Sequence, residues 1–160
     1  MKRNSAGYTY VQVLVTVAII IVVVVLAWMT IVEPNLIRAK LAAEAQSAVA
    51  SLRVITTAEI SYQTEFHGYS PTLAILASPD TAKALRMDDP LISSDLASGS
   101  KNGYIFAYTP GKTEGKFIAS YSLTADPART DAGLPHYYTD DSGLIRQNSV
   151  RTAGPSDPQL

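Results

Sequence analysis

Cysteine is absent from the 160 residues, so no disulfide and no thiolate metal site is possible, and packing and hydrogen bonding must hold any folded part together. That absence leaves the compartment open, because exported domains often lack cysteine too. An excess of one charge is also missing. The 13 Lys and Arg nearly balance the 14 Asp and Glu, the net charge is −1, and no dense basic cluster occurs, which removes the electrostatic footprint of a nucleic-acid binder. The two histidines, His67 and His136, stand alone and read as surface or loop residues rather than metal or catalytic ones. No Ser-His-Asp set, phosphate loop or carboxylate pair is arranged for catalysis, so the expectation is a non-enzyme with no cofactor and no metal. Glycine is missing between Gly7 and Gly68, and Pro34 is the only proline in that interval. One long, unpunctuated element therefore precedes a loop-rich region.

That element begins as an apolar run. Between Arg3 and Glu33 there is no charged side chain, and from 13 to 29 only Thr16 interrupts Val, Ile, Leu, Ala, Trp and Met. About 20 residues at ~1.5 Å each cross a ~30 Å hydrocarbon layer, so the run is long enough for a transmembrane helix. A buried core helix is a poor rival at this length and polarity. A cleaved secretory signal would need a shorter apolar stretch and small residues after it, whereas 26–32 reads LAWMTIV. Lys2 and Arg3 precede the run, which puts the N-terminus in the cytoplasm and everything after Glu33 outside.

Helical patterning continues beyond Pro34, which removes one backbone donor and should kink or unwind the helix between about 29 and 34. Leu41, Ala45, Ala48, Leu52, Ile55, Tyr62 and Phe66 form a stripe with steps of four and three, broken by Glu59 in the same series. Lys40, Glu44, Ser47, Ser51, Ser61 and Glu65 lie opposite as a solvated face, with Lys40 and Glu44 spaced to pair. The alternative of a coiled-coil stalk is weaker, because the stripe is rich in small residues and strand-like segments that need a cover follow it.

The head opens at the breaker cluster Gly68-Tyr69-Ser70-Pro71. Residues 72–77 and 89–96 suggest short helical turns, with Asp89-Pro90 as cap and first position of the second. Tyr104, Phe106 and Tyr108 then alternate as a core-facing row, and after 110–115 Phe117, Ala119, Tyr121 and Leu123 alternate likewise, which predicts an antiparallel hairpin. A second pair, 136–139 and 144–147, flanks the turn residues Asp140-Asp141-Ser142-Gly143. The polar tail 151–160 is expected to be mobile. Asp126, Asp131, Asp140 and Asp141 read as turn residues, since calcium would need a ligand spacing that is not present.

Lys2-Arg3, then Gly7-Tyr8-Thr9 and an apolar helix, resembles the class III signal of type IV pilins and pseudopilins. The stretches 33–38, 51–53, 57–59, 68–73 and 138–146 also resemble short-headed pilin-like subunits. The resemblance implies an α+β fold in which a long N-terminal helix, half transmembrane and half amphipathic, packs on a small antiparallel sheet. It divides the chain into a leader at 1–7, a membrane and assembly helix at 8–32, an amphipathic helix at 33–67, a head at 68–150 and the tail at 151–160. It implies that a prepilin peptidase, a membrane aspartyl protease, cuts after Gly7 and methylates Tyr8 as the new first residue. Glycine before the bond leaves no side chain to obstruct the enzyme. The implied partners are other pilins in a homo- or hetero-oligomeric filament, the peptidase, the assembly platform and the inner membrane.

Two departures bear on mechanism. Members of the family usually carry glutamate where this chain has Gln12, and that glutamate neutralises a neighbouring subunit's N-terminal ammonium in a medium where a lone charge is costly. Glutamine hydrogen-bonds between helices but brings no charge. Tip subunits typically lack the glutamate, so Gln12 points to a minor or tip subunit, although such subunits usually have larger heads. The family's proline also comes about five residues sooner than Pro34, an offset that turns a helix by ~140°. The implied function is a structural subunit of a pilus or secretion-type pseudopilus; the rival is a single-pass anchor for a periplasmic binding or sensor domain that does not polymerise.

Overall fold

The computed structural model describes residues 10–130 and 133–160, with the side chains of 29–35 excepted. The fold is α+β. Helix α1, Tyr10–Phe66, is followed by three short helices, α2 Leu73–Leu76, α3 Pro79–Ala84 and α4 Ser94–Ala97. Strands β1 Ser100–Lys101, β2 Tyr104–Pro110, β3 Thr113–Glu114, β4 Phe117–Ile118, β5 Tyr121–Pro127, β6 His136–Asp140 and β7 Arg146–Asn148 complete it. The chain divides into two units between Lys40 and Leu41.

In the first unit, Tyr10 to Trp28 is helical and exposed throughout. This 19-residue stretch of α1 is long and apolar enough to cross a membrane. The helix continues through Pro34, so the expected unwinding does not occur, and the side chains of 29–35 lie outside the described residues.

The second unit contains the core. Ala48, Leu52, Ile55 and Ala58 of α1 are buried with Tyr104 and Phe106 of β2, Tyr121, Leu123 and Ala125 of β5, and Tyr137 of β6. Leu73, Leu76, Ile92, Leu96 and Leu134 close its margins. The apolar stripe along α1 and the alternation of the strands thus meet face to face, as helix-on-sheet layering requires. Two assignments on the opposite helix face are corrected. Ser51 is buried, and Glu44 pairs across the fold with Arg129 at 3.0 Å rather than with Lys40. α1 ends where His67 turns left-handed, φ 59°, and its N–H reaches the Gln63 carbonyl at 2.9 Å, a cap that closes the last turn.

The main sheet has the order β1-β2-β5-β6-β7 with every neighbour antiparallel. β2 and β5 form the expected hairpin, in register from Tyr104 opposite Pro127 to Pro110 opposite Tyr121. The outgoing run is nevertheless split. β3 and β4 form their own two-stranded sheet, so Phe117 and Ala119 leave the core row and Phe117 is 47% exposed. The chain is pinched at the base of this side hairpin, where the Gly111 N–H donates to the Ser120 carbonyl at 2.7 Å. A Cβ on Gly111 would lie only 2.8 Å from that carbonyl oxygen.

Further corrections concern caps and the tail. Asp89-Pro90 lies in a loop, and the cap-proline pattern operates instead at Ser78-Pro79, where the Ser78 hydroxyl accepts from the Asp80 N–H at 3.2 Å. The turn at 140–143 forms as its residue types predict, with Gly143 N–H on the Asp140 carbonyl at 2.9 Å and Gly143 at φ 72°. The tail is held in place rather than mobile: Gln147 N–H donates to the Pro158 carbonyl at 3.0 Å, and Leu160 N–H to that of Ile145 at 3.0 Å. The Asp157 carboxylate accepts from Asn148 Nδ2, Gly154 N–H and Arg151 Nη2 at 2.9, 2.8 and 3.1 Å. These partners hold its pKa below the ordinary carboxylate value, Asn148 contributing most.

Candidate functional sites in the apolar helix and at a buried glutamate

The first candidate site is the exposed apolar surface of α1. Removing a valine or isoleucine side chain from water is worth ~1.5–3 kcal/mol, and here a succession of them lies uncovered, from Val11 through Leu26. Large exposed apolar surfaces of this kind mark membrane or protein contact sites in general. Gln12 is exposed near the start of this helix, and its backbone carbonyl accepts from Thr16 Oγ1 at 2.8 Å. Gly7 and Tyr8 lie outside the described residues, and so does the Pro34 side chain. Of the four sequence-predicted residues, only Gln12 is therefore described in full.

The other singled-out residues are engaged locally. His136 Nδ1 lies 2.5 Å from Asp126 Oδ1. Asp140 accepts from Ser142 within its own turn, and Asp131 lies outside the described residues. His67 is exposed and sits edge-on to Phe117 with ring centres 6.4 Å apart. Among the described residues, no group of three His, Cys, Asp or Glu side chains is placed to hold a metal.

The second candidate site is one that sequence reasoning registered only as an interruption. Glu59 occupies a core-facing position of α1 and is 0% exposed. Its Oε2 accepts from the Ser70 N–H at 2.9 Å, and its Oε1 lies 2.6 Å from Ser70 Oγ. Ser70 Oγ also lies 3.2 Å from the Thr72 carbonyl. Tyr108 donates its hydroxyl proton to the Ser70 carbonyl at 2.6 Å and stands beside the Glu59 carboxyl. Tyr121 stacks on Tyr108 with ring centres 5.7 Å apart, and Tyr69 meets Tyr121 edge-on at 4.8 Å.

This environment is apolar apart from hydroxyls and amides. Burial pushes the Glu59 carboxyl above its ordinary range, against the opposing pull of the Ser70 hydrogen bonds and of Tyr108. Burial likewise raises Tyr108, and raises Tyr121 to about 12. Glycine makes the approach possible: Gly68 passes so close to β4 that a Cβ there would lie 2.9 Å from Phe117 Cβ. The sequence signal for the site was a carboxylate in an apolar stripe, but its partner comes from beyond the helix end.

These features define an α+β protein in which, among the described residues, one helix is long and apolar enough to cross a membrane. No protein-family model, no characterised protein and no solved structure matches the chain.

Proposed function

We propose that this chain is a structural subunit of a type IV pilus or a secretion-type pseudopilus, cut by a prepilin peptidase after Gly7 and polymerised through residues 8–32. The observation that carries the reading is the Gly7-Tyr8-Thr9 signal set directly before a helix whose apolar residues are uncovered from Tyr10 to Trp28. Before assembly that helix anchors the chain in the inner membrane with Lys2 and Arg3 in the cytoplasm and the head exported. After assembly, neighbouring subunits replace lipid around it. The head has no enzymatic part in this function. Gln12 favours a minor or tip subunit, because it removes the charge that would recruit a neighbour's N-terminal ammonium.

The test is mass spectrometry of the membrane protein produced together with a prepilin peptidase. The expected product lacks residues 1–7 and carries one methyl group on the amine of Tyr8. A chain that keeps Met1 under these conditions refutes processing and favours the non-polymerising anchor. Within the same system Gln12→Glu is expected to raise incorporation into filaments; unchanged incorporation removes charge pairing from the mechanism.

A further inference from the structure

We propose that Glu59 is an un-ionised carboxylic acid in the folded head at neutral pH, donating its proton to Ser70, and that this bond is a latch between α1 and the head that loosens as pH rises. The proton count at Ser70 carries the assignment. Three short contacts converge there: Ser70 N with Glu59 Oε2 at 2.9 Å, Ser70 Oγ with Glu59 Oε1 at 2.6 Å, and Ser70 Oγ with the Thr72 carbonyl at 3.2 Å. An ionised Glu59 leaves two protons, the amide and the hydroxyl, for three contacts. A neutral Glu59 supplies the third. Its O–H donates to Ser70 Oγ, the Ser70 hydroxyl donates to the Thr72 carbonyl, and the Ser70 amide donates to Oε2, so each contact has one proton.

The surroundings agree. The groups facing Glu59 are Tyr62 on its own helix, Tyr69 and Ser70 on the following loop, Tyr108 on β2 and Tyr121 on β5. The next charged groups outward are Asp140 and Asp141, which act on Tyr121 and Tyr69 and are themselves acidic. Among the described residues, no Lys, Arg or His lies within salt-bridge distance of Glu59. A carboxylate formed here would be a buried charge with no counter-charge, which a neutral acid avoids.

The latch has a defined reach. Tyr69 N–H, one residue before Ser70, donates to the Ile118 carbonyl at 2.9 Å, so release of Ser70 loosens the contact between the end of α1 and the β3–β4 hairpin. Folding retains the Glu59 proton where the unfolded chain has lost it. The associated stability is complete below the unfolded carboxylate value of ~4.3 and is lost as pH rises through the higher folded value. The device is independent of whether the subunit polymerises.

The full chain in detergent tests this through Glu59→Gln, which keeps one acceptor for the Ser70 amide and one donor for Ser70 Oγ but cannot ionise. The unfolding equilibrium constant of the native protein, divided by that of E59Q, is expected to rise up to tenfold per pH unit above ~4.3 until Glu59 ionises in the folded state. Amide exchange at Tyr69 and Ser70, also taken as the ratio to E59Q, is expected to rise over the same interval. Infrared difference spectra of the native protein should contain the carbonyl stretch of an un-ionised acid at neutral pH, absent from E59Q; this readout stands even if the variant folds poorly. A pH-independent ratio, or no such band in the native protein, overturns the proposal.

Discussion

Gly68 offers a quantitative test of how tightly the end of α1 is set against the side hairpin. Its φ is not in the left-handed region, so alanine there carries no backbone penalty, and the change should ordinarily gain ~0.4–1 kcal/mol by restricting the unfolded chain. The native surroundings reverse the sign. A Cβ would stand 2.9 Å from Phe117 Cβ, 3.1 Å from Ile118 N and 3.2 Å from Ile118 O. None of these atoms can swing away as the end of a long side chain could, and the last accepts the Tyr69 hydrogen bond at 2.9 Å. Overpacking of this kind costs ~1–3 kcal/mol, which against that gain leaves a net loss centred on about 1.3 kcal/mol and lowers the melting midpoint by roughly 4–8 °C for a unit of this size. Gly115→Ala is the control, since Gly115 has φ 64° and nothing within 4 Å of its Cβ position. Its penalty is conformational, roughly 1–2 kcal/mol, and confined to the hairpin tip. Melting curves followed by circular dichroism give both midpoints, and amide exchange at Ser70 separates them, because only Gly68→Ala displaces that residue. A Gly68→Ala protein that melts at or above the native temperature refutes the close approach.

Leu52→Ala removes a fully buried side chain from the centre of the helix–sheet contact and should cost ~2–5 kcal/mol in denaturant unfolding; a loss below ~1 kcal/mol would mean that α1 is not the wall of the core. Asp157→Ala should free the tail, read as faster removal of C-terminal residues by carboxypeptidase at neutral pH. The sign of the pH effect there is opposite to that at Glu59. The folded pKa of Asp157 is depressed, so its contribution is present above the unfolded carboxylate value and is lost as pH falls through the folded one. The native tail should therefore become protease-sensitive in acid, while the alanine variant is sensitive throughout; equal resistance of the two proteins at neutral pH would refute the anchoring role.

The parts of the fold that could be read in the sequence are those set by periodicity along one element. The stripe Ala48, Leu52, Ile55 and the row Tyr104, Phe106, Tyr108 each follow from a single period, and both face the same core. Features decided by which segments meet were not legible. Ser78-Pro79 and Asp89-Pro90 offer the same local cap pattern, yet only the first begins a helix. Alternation runs unbroken from Phe117 to Leu123 in sequence, whereas the backbone leaves the sheet between Gly111 and Ser120. The tail reads as loose because the groups that hold Asp157 include Asn148 and Arg146 of β7, distant enough in sequence that no local pattern joins them. Gly7 and Tyr8 are of another kind: the proposed role for them is a short peptide signal, which the fold of the head does not test.

Gln12 and Glu59 both interrupt apolar surfaces of α1, but in opposite environments, exposed at the first and buried at the second. At Glu59 the surrounding surface is already completed by the chain itself, Ser70 and Tyr108 supply the hydrogen-bonding groups, and a carboxyl can remain there by keeping its proton. At Gln12 the surface is exposed, and on the proposed function lipid or another subunit would cover it, where an acid would have to remain neutral or find a cation. The substitutions Glu59→Gln and Gln12→Glu therefore exchange the same two chemistries in opposite directions. The first should abolish a pH dependence of folding that originates within one chain. The second should add a group whose charge is compensated only if a neighbour brings an ammonium beside it, so its effect on incorporation measures assembly and not the stability of the head.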